Sequence, residues 1–145
     1  METVEQSALQ IVVVEDNDAD VVFVREALRK TGIVCDLRVV KDGHEAMAFI
    51  ETLDRDINLP RVDLLLLDMH LPQHDGADIL NCLRSTENYA QTPVIVMTGS
   101  SALHVYETAL KHAAIHYFRK PANLVEFMQL GAIVSAIVAP GKSGG

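Results

Sequence analysis

The sequence predicts a doubly wound α/β domain, a five-stranded parallel sheet flanked by five helices. Three observations carry this expectation. Short runs rich in Val, Ile and Leu recur along the chain at Ile11–Val14, Val62–Leu67 and Pro93–Met97. These runs are close to continuously apolar rather than alternating, as in strands covered on both faces by helices. Between them lie segments with the i, i+3, i+4, i+7 spacing of an amphipathic helix, so strand and helix alternate throughout. Right-handed crossovers then wind helices onto both faces of one sheet.

Taken in order, the first strand is Ile11–Val14, and the polar stretch Asp16-Asn17-Asp18 behind it suits the start of a helix. A weaker strand follows at Asp36–Val40, then a helix whose face is Ala46, Phe49, Ile50 and Leu53. The central strand is Val62–Leu67 and the next is Pro93–Met97. Leu103, Tyr106, Leu110 and Ala113 line a fourth helix, and Ile115–Phe118 supplies the last strand. The final helix begins near Asn123, just after Pro121, and runs to about Val138. Its residues Leu124, Val125, Phe127, Met128, Leu130, Ile133, Val134, Ile137 and Val138 make a broader apolar surface than one core-facing stripe needs. Two readings stand side by side: a wide stripe buried in its own domain, or a surface part of which meets a partner.

At 145 residues the chain has room for one domain, expected over 1–138 with a core at about 9–138, and for no attached output module. The Pro-, Gly- and Ser-rich stretch 139–145 is expected to be a flexible tail. Its Gly-Lys-Ser has neither the upstream glycine nor the strand-loop-helix setting of a phosphate loop. A composition of 49% hydrophobic and 22% charged residues supports a packed core. The net charge of −8, with no Lys/Arg cluster, opposes nucleic-acid binding. No apolar run approaches the roughly 20 residues of a membrane helix. The start METVEQSALQ has neither a basic nor an apolar leader region, so a cytoplasmic location is expected. Cys35 and Cys82 lack metal-ligand spacing and read as buried, reduced thiols. His112 and His116 are four apart, but His116 falls in a strand, which defeats the helical metal-binding geometry.

Chemistry is expected at the carboxyl ends of the strands, where open α/β sheets bind ligands. Four features converge there: Glu15-Asp16, Asp68, Thr98-Gly99 and Lys120-Pro121. Singly, each has a plain structural use, such as an Asp capping a helix or a Lys before a turn. Together, three carboxylates in one crevice call for a cation, and an all-oxygen set suits Mg2+. A carboxylate can attack phosphorus, while a metal ion and the Lys120 ammonium would stabilise charge on the transferring phosphoryl oxygens. The Thr98 hydroxyl is a donor for one of those oxygens.

These residues resemble the receiver domains of two-component response regulators, over about Leu9 to Val138. The resemblance rests on Val-Val-Val-Glu-Asp-Asn, on Leu-Leu-Leu-Asp-Met-His-Leu-Pro with Asp75-Gly76, on Thr98-Gly99 and on Lys120-Pro121. It implies the flavodoxin-like strand order 2-1-3-4-5. It makes Asp68 the phosphoacceptor, Asp16 a direct Mg2+ ligand, Glu15 its acidic partner and the His70 backbone carbonyl a further metal contact. Thr98 and Lys120 would bind the phosphoryl group, and Tyr117 would swing inward once Thr98 has moved. A sensor histidine kinase would be the donor. The fourth helix, fifth strand and fifth helix would then present a changed surface to a downstream target or phosphotransfer protein. The resemblance implies a switch rather than an enzyme, with at most self-catalysed phosphotransfer and autodephosphorylation. His70 and Ser100 occupy positions that tune phosphate lifetime in the family. Glu-Asp-Asn-Asp-Ala-Asp, Val-Lys-Asp-Gly-His-Glu-Ala-Met and Thr-Gly-Ser-Ser are similar to small response regulators paired with phytochrome-type kinases, which implies a homodimer through the last strand and helix.

Two other classes compete. A dehalogenase-type phosphatase also uses a strand-end Asp with Mg2+, but its second Asp would fall where His70 stands. A degenerate receiver that binds partners without phosphorylation is the stronger alternative, although Glu15, Asp16, Asp68, Thr98 and Lys120 are all present.

Overall fold

The computed structural model describes residues 8–71, 76–99 and 115–138. Its five strands are β1 (Leu9–Val14), β2 (Cys35–Val40), β3 (Leu64–Asp68), β4 (Val94–Thr98) and β5 (Ile115–Arg119). All pairings are parallel, and the strands lie side by side as β2-β1-β3-β4-β5. The expected fold class and strand order are therefore those observed. The described helices are α1 (Asp18–Lys30), α2 (Gly43–Leu53), α3 (Gly76–Arg84), α4 (Leu124–Phe127) and α5 (Gln129–Val138). The helix expected across Leu103–Ala113, the tail 139–145 and Ser100 lie outside the described residues.

Period-two alternation divides the strand residues between two cores. Val12, Val14, Leu65, Leu67, Val94 and Val96 join Ala46, Ile50, Leu53, Ile79 and Leu83 on the α2/α3 side. Ile11, Val13, Leu64, Leu66, Ile95 and Met97 join Val24, Leu28, Phe127, Leu130 and Val134 on the α1/α5 side. This is why the runs read as continuously apolar: neither face of the sheet is left to water. Phe127 stands edge-on to both Phe23 and Phe118, with ring centroids 5.3 Å apart in each pair.

Local polar chemistry starts the helices. The Asn17 side chain accepts from the N–H groups of Ala19 and Asp20 at 2.9 and 3.1 Å, capping α1. Asp42 caps α2 by accepting from the Glu45 N–H at 2.7 Å, and Asn123 caps α4 from the Glu126 N–H at 2.9 Å. The single helix expected from Asn123 to Val138 is instead two pieces that meet at Met128. There the Gly131 N–H donates to the Met128 carbonyl at 3.0 Å, an i to i+3 step that tightens the turn. Gly131 also lies hard against α1. A Cβ on it would overlap Thr31 Oγ1 and sit 2.7 Å from the Ala27 carbonyl oxygen.

Candidate phosphoacceptor site

The strand order reverses direction between β1 and β3, and a ligand crevice is expected beyond the carboxyl ends of those two strands. Glu15 and Asp16 follow β1, and Asp68 closes β3. Because Asn17 takes the capping role at α1, Asp16 is not consumed as a helix cap. Carboxylate oxygens of Glu15, Asp16 and Asp68 all lie within 4.8 Å of one another. Asp16 is exposed, Glu15 is fully buried and Asp68 is 4% exposed.

The Glu15 carboxylate accepts the Asn17 N–H at 3.1 Å on Oε1 and the Lys120 ammonium at 2.7 Å on Oε2. Even so its pKa is pushed up to about 7, first by burial and then by its contact with Asp68, against the opposing pull of Lys120. The Lys120 ammonium also donates to Asp20 Oδ2 at 2.8 Å and lies 3.5 Å from Asp68 Oδ2. Burial alone would depress its pKa, but the bonds from Asp20 and Glu15 and the charge of Asp68 raise it above the usual lysine range. Lys120 thus stays charged in a half-closed position.

The His70 N–H donates to Asp68 Oδ1 at 2.9 Å, which holds the carboxylate in one orientation with its other oxygen turned towards Lys120. Thr98 ends β4 and is fully buried, and its carbonyl accepts the Lys120 N–H at 2.9 Å. That bond ties the hydroxyl residue to the lysine through the backbone. Tyr117 is half-buried on β5 and packs with the α2/α3 core, outside the carboxylate cluster itself. Alternation along β4 places Thr98 on the same sheet face as Val96, the strand partner of Tyr117.

The donor set fits a hard dication. It offers only oxygens among the described residues, and both Cys35 and Cys82 lie on other elements with thiols pushed up by burial. Three carboxylates within this distance carry more negative charge than the single Lys120 ammonium balances.

The model of the response regulator receiver domain matches residues 11–131. The chain belongs to this family. The receiver is 32% identical over 123 residues to response regulator Rcp1 of Synechocystis, a match that covers 83% of this chain and 82% of that protein. Its fold superposes with a TM-score of 0.76 on the phosphorylated cyanobacterial phytochrome response regulator RcpA, at 30% identity, covering 92% of this chain and 95% of the other. The receiver domain of sensor histidine kinase PA1611 from Pseudomonas aeruginosa is also similar, with a TM-score of 0.68 at 26% identity over 92% and 99% of the two chains. That structure holds magnesium in its active-site cleft. Other relatives are longer proteins, of which this receiver spans 17% to 72%. Receivers are regulatory switches of two-component signalling that work with histidine kinases and bind a divalent metal at their acidic site. No helix among the described residues is long and apolar enough to cross a membrane.

Glu15, Asp16, Asp68 and Lys120, singled out in the sequence, are brought together, with Thr98 adjoining through the backbone. Asp20 was not anticipated. The Asn17 cap fixes the first turn of α1, and Asp20 in that turn meets the Lys120 ammonium at the strand ends, a direction that no spacing in the chain records.

Proposed function

We propose that this receiver is a phosphorylation switch whose phosphoacceptor is Asp68. The observation that carries the reading is the placement of a nearly buried strand-end carboxylate between two other carboxylates and a lysine ammonium 3.5 Å away. A sensor histidine kinase is the donor. An Asp68 carboxylate oxygen attacks phosphorus, the phosphorus–nitrogen bond of the phosphohistidine breaks, and its electron pair stays on the imidazole. Lys120 meets the charge on the phosphoryl oxygens, and the His70 N–H keeps the attacking carboxylate aligned. Glu15, Asp16, Asp68 and the backbone carbonyl of His70 would hold magnesium. A bound magnesium ion supplies neutralisation of the carboxylates and of the incoming phosphoryl oxygens.

The Asp68 phosphoryl group adds about −1.5 to −2 charges at the crevice. The Thr98 hydroxyl turns to donate to it, and Tyr117 follows into the space on the same sheet face. The altered surface around β5, α5 and the segment leading into β5 then selects a downstream target or a phosphotransfer protein. His70 and Ser100 tune the lifetime of the phosphoryl group. The residues 1–138 work as one unit, in the cytoplasm, without contact to nucleic acid. Similarity to RcpA and Rcp1 supports a phytochrome-type kinase as the donor. Exposed Ala132 and Ala136 on α5, a helix without a charged residue, support a homodimer through the last strand and helix.

The test is the intact mass of the wild type and Asp68→Asn after incubation with acetyl phosphate, with and without Mg2+. A Mg2+-dependent gain of one phosphoryl group in the wild type alone is expected. No gain in the wild type would instead favour a receiver that binds partners without phosphorylation.

A further inference from the structure

The lysine of the site has a second anchor that the acidic cluster does not explain. Lys120 Nζ makes its two short contacts with Glu15 Oε2 at 2.7 Å and Asp20 Oδ2 at 2.8 Å, while Asp68 Oδ2 is 3.5 Å away. Asp20 is not a member of the three-carboxylate group. It sits in the first turn of α1, and its backbone N–H is bonded to the Asn17 cap at 3.1 Å, so its starting point is fixed. The Lys120 and Asp20 side chains are only 12% and 21% exposed, so the pair is largely shielded from water. An ammonium has three N–H donors at tetrahedral angles. With Glu15 and Asp20 taking two of them, one N–H remains, and Asp68 Oδ2 at 3.5 Å leaves room for a phosphoryl oxygen to take it.

We propose that Asp20 is a positioning residue for phosphoryl transfer: it holds the Lys120 ammonium so that its remaining N–H faces the phosphoryl group arriving on Asp68. The inference rests on Asp68 being the phosphoacceptor. A lysine side chain carries several rotatable bonds, and with Glu15 alone as a partner its ammonium can rotate about that one contact. Two carboxylate anchors on different elements, the end of β1 and the first turn of α1, remove this freedom before the donor binds.

Asp18 provides the control. It lies in the same first turn and gives the same favourable charge at the helix N-terminus, but its carboxylate pairs with Lys41 and is 83% exposed. The experiment measures acetyl phosphate phosphorylation with saturating Mg2+, separating the maximal rate from KM, in wild type, Asp20→Ala, Asp20→Glu and Asp18→Ala. The lysine ammonium 1H–15N signals of the metal-free proteins are recorded alongside. Asp20→Ala is expected to lower the maximal rate by roughly 3- to 10-fold with KM little changed. It should also shift or broaden the Lys120 ammonium signal, with Asp20→Glu recovering both and Asp18→Ala changing neither. Equal rates in Asp20→Ala and Asp18→Ala, or an unmoved Lys120 signal, would overturn the positioning role while leaving Asp68 as the acceptor. Failure of the wild type itself to gain a phosphoryl group would overturn both.

Discussion

Gly131→Ala isolates the contact that seats α5 on α1. Intrinsic helix propensity alone favours alanine by about 1 kcal/mol within a helix. Here the added methyl would overlap Thr31 Oγ1, and it would stand 2.9 Å from Thr31 Cβ and 2.7 Å from the Ala27 carbonyl oxygen. The hydroxyl could rotate, but it donates to that same carbonyl at 2.7 Å, and the carbonyl is backbone in the last turns of α1. Relief therefore requires the two helices to separate, and such overpacking costs about 1–3 kcal/mol. After the propensity gain, a net loss of up to about 2 kcal/mol is expected, or up to roughly 8 °C in Tm for a domain of this size. Urea unfolding of the wild type, Gly131→Ala, Thr31→Ala and the double variant measures it. The double variant should be less destabilised than the sum of the singles, because Thr31→Ala removes Oγ1, the nearest of the three close atoms. A Gly131→Ala protein more stable than wild type would show that propensity outweighs the contact, and the close helix packing would have to be abandoned as a source of stability.

Three further outcomes are expected. Asp54 accepts the Glu87 N–H and, at 3.0 Å, the Asn88 N–H, and these bonds hold its carboxyl below the usual range. Because the folded-state value is the lower one, this stabilisation is complete above the ordinary aspartate value and is lost as pH falls through the folded one. Asp54→Asn should therefore flatten the acid limb of the stability curve below about pH 4, and an unchanged limb would count against the loop contact. Leu59 has φ of 45° and is half exposed, so Leu59→Gly should raise stability by about 0.5–1 kcal/mol, read as a higher urea midpoint; a lower midpoint would contradict it. Mg2+ at about 100 times its Kd should stabilise the wild type by about 2.7 kcal/mol, with Asp68→Asn gaining much less. Equal thermal shifts in the two proteins would place the metal elsewhere.

Most of the fold was legible because the strands are buried on both faces. The Ile11–Val14 and Pro93–Met97 runs lie within a residue or two of β1 and β4. The central strand was placed two residues early, since Val62 is apolar but precedes the ladder, and Asp63 serves there as an acceptor for the Gln10 N–H at 2.7 Å. Hydropathy cannot distinguish such a flanking residue from a strand residue. The break at Met128 was likewise hidden, because Met, Gln and Leu all favour helix and only the close approach of Gly131 to α1 marks the seam. In the site, residues at strand ends were readable because topology alone brings them together. Asp20 was not, since its role depends on the direction in which a helix leaves a strand, which no spacing in the chain records.

The division of each strand between two apolar cores has a consequence for how the sheet is threaded. If β1 slid by one residue against its neighbours, Ile11 and Val13 would exchange cores with Val12 and Val14, and oil would still meet oil. Greasiness alone therefore leaves the alignment of the central strands nearly undecided. What a slip cannot tolerate is at the ends: Glu15 or Asp68 drawn a notch into the sheet would lose Lys120, and Asp63 would lose the Gln10 N–H. The charged residues that equip the crevice thus also act as stops for the strands, so variants that neutralise them risk misthreading a chain that otherwise looks better packed.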